Sequence, residues 1–163
     1  MERYDTSWHS HEVGSVLAST KLDNGITPAF DGLMLRYSMS HRNAAESISL
    51  PKALDNNIPV LAFTTTRWNR LQNNPRTDNT NSYPTTSDCI KFALQHPAID
   101  IVIHSARDED ELDDAILPLI STGSKQSTWL SEDEYIGWRM YGNDEVKWNK
   151  DDSFDEYPEE SIV

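Results

Sequence analysis

The chain has 163 residues, a single cysteine and a formal net charge of −13. That length supports one domain with a real core, burying roughly 70% of its unfolded surface, and nothing in the composition argues for a second. The charge balance excludes the clustered Lys and Arg that a nucleic-acid or anionic-membrane surface needs, and Cys89 alone can form neither an intrachain disulfide nor a Cys-based zinc site.

The start of the chain, Met1-Glu-Arg-Tyr-Asp, lacks the basic and apolar regions of a secretory signal. No apolar run approaches the ~18 residues of a membrane span, so a soluble, cytoplasmic protein is expected. His9 and His11 stand two apart with no third ligand at a recognisable spacing, so no metal site is expected. Residues Arg3–Trp8 could pair as an extra strand, but their poverty in apolar residues favours a sheet without them.

Three apolar runs follow: Gly32–Tyr37, Pro59–Thr64 and Ile99–His104. Each is about strand length, and near-continuous hydrophobicity suits strands in a parallel sheet. Helical patterns separate them. Asn43–Asn56 carries Ala44, Ala45, Ile48, Leu50, Ala53 and Leu54 in an approximate stripe. Ser87–His96 offers Ser87 as an N-cap, Cys89 as a small buried hydrophobe, and Ile90, Phe92, Ala93 and Leu94 as core candidates before Pro97. Asp108–Ile120 opens on acidic residues and places Leu112, Ala115, Ile116 and Leu119 on one face. Ser131 and Glu134 form a capping box for a further helix.

Strand, helix, strand, helix, strand, helix implies right-handed βαβ crossovers and an α/β fold. Alternation points one side of each strand inward, and Leu33, Leu35, Val60, Ala62, Ile101 and Ile103 are expected on the barrel-facing side, exposed in a half-barrel. A polar loop, Arg67–Thr86, leaves the end of the second strand, where α/β proteins place ligands. After Gly142 the composition turns strongly acidic, which predicts a domain over 1–142 and a solvated tail over 143–163.

The turn from the third strand into the Asp108–Ile120 helix is a natural anion site, because backbone N–H groups and the helix dipole favour negative charge there. Arg107 suits a phosphate at that position. It could equally pair with one of the acids Asp108, Glu109, Asp110 and Glu111 that follow it. Phe63 reads either as a ligand-facing ring or as ordinary core, and Tyr37 as packing.

Taken together, Leu35-Arg-Tyr-Ser with His41-Arg42, Pro59-Val-Leu-Ala-Phe-Thr-Thr-Thr-Arg-Trp, and the run from Ser87 to Ile116 resemble the C-terminal half of an aldo/keto reductase. The Ser7-Trp-His-Ser-His segment is similar to the turn that ends the fifth barrel strand in bacterial members. The resemblance covers roughly residues 3–140. It implies a partial (β/α)8 TIM barrel with three to four parallel strands and flanking helices. It also implies NADP(H) as cofactor, with Phe63 stacked on the nicotinamide, Thr64, Thr65 and Thr66 along the pyrophosphate, Ser105 and Arg107 at the 2′-phosphate, and Asp114 near adenine. Met34 stands where the family usually has an amide, and His9 where it usually has Ser.

The family's catalytic Asp, Tyr, Lys and His belong to the first four strand–loop units and have no counterpart in this chain. An NADP(H)-dependent oxidoreductase fragment, inactive alone, is therefore expected. The alternatives are a non-catalytic NADP(H)-binding module and a non-functional truncated paralogue. A second barrel half, or self-association through exposed sheet edges, is the expected partner.

Overall fold

The computed structural model describes residues 6–72, 83–120 and 129–148. Its elements in chain order are α1 (Thr6–Ser19), β1 (Leu33–Arg36), α2 (Arg42–Ala44), a π-helical turn (Ala45–Ser49), α3 (Leu50–Asp55), β2 (Val60–Phe63), α4 (Thr86–Leu94), β3 (Ile101–Val102), α5 (Glu109–Ile120) and α6 (Glu132–Trp148). The strands form a parallel sheet in the order β1-β2-β3. Leu33 lies opposite Val60, and Ala62 opposite Val102, so the three strands run level.

Segment Thr6–Trp8 opens α1 and is not a strand. The helix prevails because Gly14, Leu17 and Ala18 fall on one face and meet the sheet together. A Cβ on Gly14 would come within 2.9 Å of Leu35 Cδ2, a measure of how closely α1 lies on β1. An extended chain would send those three residues to opposite sides.

The first predicted helix exists but is interrupted. Pro51 has no N–H to give the Ser47 carbonyl, and the turn before it is the wide π turn. Helix α4 starts earlier than expected. Thr85 is its N-cap and Ser87 lies inside it, because Thr85 Oγ1 accepts from the Asp88 N–H while Asp88 Oδ2 accepts from the Thr85 N–H. The Ser131–Glu134 box forms as read from the sequence. Helix α6 continues past Gly142 to Trp148, and residues 149–163 lie outside the described part.

The helices cover one face of the sheet. Leu33, Leu35, Val60 and Ala62 point under them and join Ala18, Leu50, Ala53, Phe92, Ala93 and Ile99 in one core. On β1 and β2 this reverses the expected assignment of barrel-facing residues. The other face, which none of the described helices covers, instead carries Met34, Leu61, Phe63, Ile101 and Ile103. Alternation fixes which residues of one strand share a side, and the register then puts Ile101 with Leu61 and not with Val60 and Ala62. It cannot say which side the helices take, and here the even-numbered β1 residues remain outside. Cys89 is buried, as a small hydrophobe would be.

Candidate functional site

The C-terminal ends of the three strands converge on one rim. The Tyr37 N–H donates to the Phe63 carbonyl at 3.1 Å, and the Ile103 N–H to the Ala62 carbonyl at 2.8 Å. Those bonds join the strand ends, so the chain leaves three adjacent strands at the same rim. The strands release their chain into a strained turn: Thr64, Arg67, Trp68 and Asn69 all adopt left-handed φ, from 52° to 62°. Each such non-glycine residue costs roughly 1–2 kcal/mol, and residues held this way cluster at functional sites. The turn is closed by Arg67 N–H to the Thr64 carbonyl and Leu71 N–H to the Thr66 carbonyl.

The residues singled out in the sequence divide along this rim. Phe63 is half-buried on the face without helices, and Thr64 is partly exposed beside it. Thr65 and Thr66 point into the protein and are buried. Ser105 is exposed, and the Arg107 side chain is 75% exposed. Asp114 lies apart from them, two turns into α5, where its Oδ2 accepts from the Thr86 N–H at 3.2 Å and caps α4.

At the start of α5 the protein's own carboxylates take the anion position. Glu111 Oε2 accepts from the Arg107 N–H at 2.8 Å and from Arg107 Nε at 3.0 Å. Asp108 Oδ1 accepts from the Glu111 N–H at 2.8 Å. The hydrogen bond and charge of Glu111, reinforced by Asp108, raise the Arg107 pKa, and the bonds from Arg107 hold the Glu111 carboxyl below its usual range. The turn therefore supplies the donors an anion requires and already uses them.

Two features of this region were not read from the sequence. Arg36, at the end of β1, sits over the Trp68 ring with its Cζ 5.2 Å from the centroid, which puts a cation and an exposed indole on the same rim. The available signal was a single Arg closing an otherwise apolar strand. Behind the rim, the Tyr37 hydroxyl donates to Glu46 Oε1 at 2.9 Å, and Glu46 is gripped by Arg139 from α6. Burial foremost, with nearby Tyr135 and Glu46, raises the Tyr37 pKa far above a phenol's. Its ring stacks on Phe92 at 6.2 Å, a packing role.

His41 Nδ1 lies 3.0 Å from Ser38 Oγ at the β1 end. Among the described residues no cluster of His, Cys, Asp or Glu could hold a metal ion, and no helix is long and apolar enough to cross a membrane. No family model, curated protein or solved structure matches the chain.

Proposed function

We propose that the chain is the NADP(H)-binding half of an aldo/keto reductase-like barrel and performs no carbonyl reduction by itself. The observation that carries this reading is that the segments beginning at Phe63 and Ile103 leave adjacent parallel strands at the sheet's C-terminal rim, the end at which α/β proteins bind ligands. Phe63 offers a ring on the open face and Thr64 a partly exposed hydroxyl. Arg107 offers an exposed guanidinium beside the first turn of α5. A nucleotide phosphate would displace Glu111 from Arg107 and keep the same donors.

Hydride transfer to a carbonyl also needs a proton donor and its partners. In this reading catalysis needs the family's missing residues, from a second polypeptide or a longer form of the chain, because the buried Tyr37 hydroxyl already donates to Glu46.

Equilibrium titration of the full chain with NADPH and NADH tests the proposal. NADPH is expected to bind more tightly, and Arg107→Ala to weaken NADPH by about one to two decades while leaving NADH nearly unchanged, the range of a charge-assisted contact. Equal losses for the two nucleotides, or no binding of either, would overturn it. NADPH-dependent reduction of a generic aldehyde by the purified chain would refute the claim of inactivity.

A further inference from the structure

Among the described residues, both β3 and α5 leave apolar side chains uncovered. Among the described residues β3 pairs only with β2, which leaves its outer edge with free N–H and C=O groups. Ile101 and Ile103 are 50% and 44% exposed there. In the helical layer α5 packs against α4 and turns a second apolar row to solvent: Leu112, Ile116 and Ile120, exposed by 44%, 40% and 67%. These five side chains leave on the order of 400 Å² of apolar surface in water, about half of the ~800 Å² each partner buries in a standard interface. The polar residues flanking the row and the β3 backbone would supply the rest.

We propose that this end is a two-fold interface between two copies of the chain, in which β3 pairs with β3 and α5 packs antiparallel on α5. The pattern of α5 is what selects a second copy. Leu112 and Ile120 are equally spaced about Ile116, so a two-fold axis at Ile116 sets Leu112 against Ile120 of the partner subunit. One axis perpendicular to the sheet makes both the strands and the helices antiparallel, and both layers continue across it.

The charges of α5 agree with that direction. Glu109, Asp110, Glu111, Asp113 and Asp114 crowd its first half, whereas residues 115–120 contain no acidic residue. Antiparallel packing brings the acidic half of one helix to the acid-free half of the other and opposes the helix dipoles. Parallel packing would stack the acids. The inference does not depend on nucleotide binding. A completing barrel half would need the same edge, so it and the second copy exclude one another.

Sedimentation velocity of the full chain, over a range of concentrations at low and high salt, tests this. A reversible dimer is expected, and it should tighten with salt because screening relieves the repulsion between two chains of charge −13. Ile116→Glu should weaken it by more than ~10-fold, whereas Val16→Glu, on the opposite α1 end, should leave it unchanged. If Ile116→Glu does not fold, Ile116→Cys decides the matter: mild oxidation should link two copies, with buried Cys89 contributing no background. A monomer at all concentrations, a dimer lost equally in Val16→Glu, or no cross-link through Cys at 116 would overturn the proposal. Nucleotide titrations are read separately, so the failure of either idea leaves the other standing.

Discussion

Glu46 and Arg139 face each other through paired hydrogen bonds, Nη1 to Oε1 at 2.8 Å and Nη2 to Oε2 at 2.6 Å, although they are 93 residues apart in the chain. The same carboxylate accepts from the Tyr37 hydroxyl and lies 3.4 Å from Arg42 Nη1. Arg42 in turn reaches the Arg139 carbonyl and Asn143 Oδ1. One carboxylate on the π turn thereby fastens α6 over the C-terminal rim of β1.

Removing that carboxylate should loosen α6. The ion pair is partly shielded, with side chains 18% and 31% exposed, so its loss falls between the ~0.5 kcal/mol of exposed pairs and the 3–5 kcal/mol of buried ones. Glu46→Ala is expected to destabilise by about 2 kcal/mol and to lower Tm by roughly 4–8 °C. Arg139→Ala should do the same within error, and the double variant should cost much less than the sum of the two. Thermal melts of the three variants check this.

Stability should fall in acid in two stages. Burial tends to raise the Glu46 pKa, but the Arg139 and Tyr37 hydrogen bonds and the charges of Arg139 and Arg42 outweigh it, so the folded value lies below 4.5. Burial foremost lowers His96 below 6.5, against the pull of Glu46. Both groups are depressed on folding, so each contributes fully above its unfolded pKa and loses its contribution as pH drops toward its folded one. Decline is expected to begin below 6.5 through His96 and to deepen below 4.5 through Glu46. His96→Asn, which can keep an acceptor for the Ala98 N–H, should remove the upper stage, and Glu46→Gln should flatten the lower. Melting temperatures between neutral and acid pH decide it.

Gly142 lies against the main chain that follows β1. A Cβ there would overlap the Met39 carbonyl, backbone that cannot swing aside. Gly142→Ala is expected to cost about 3 kcal/mol or more, far beyond an ordinary helix substitution, because α6 must back away from its seat. Gly14→Ala meets only the flexible end of Leu35 and should cost less. Chemical denaturation of both variants gives the comparison.

Asn57 ends the segment after α3 with φ at 53°, exposed, its N–H donating to the Leu54 carbonyl. Asn57→Gly should be neutral or stabilising by about 0.5 kcal/mol, and Asn57→Ala destabilising by about 1 kcal/mol. A shift of the same sign in both would contradict the αL assignment.

If Arg107 reads a phosphate, Glu111 is its competitor. Glu111→Gln should then tighten NADPH several-fold without improving NADH. Titrations of the two nucleotides against this variant test that difference.

The chain's local chemistry was legible without the fold. Three apolar runs became three parallel strands, because hydrophobicity and length constrain a strand wherever it lies. The acidic opening of α5 and the Ser131–Glu134 box are contacts between near neighbours, so their spacing declares them. The Thr85 cap was equally local, but a run of Thr and Ser offered several oxygens, and Asp88 chose among them. What the tertiary structure decided is long-range. Which side of the sheet the helices cover depends on where α1 and α4 land, so Leu33 and Val60 went inward and Met34 stayed out. Glu46 met Arg139 because α6 returns across the β1 end, a contact no periodicity encodes. The stripe on α5 is apolar in sequence whether or not anything covers it. Only the fold shows Leu112, Ile116 and Ile120 exposed, because among the described residues the sheet stops at β3 and no further layer covers them.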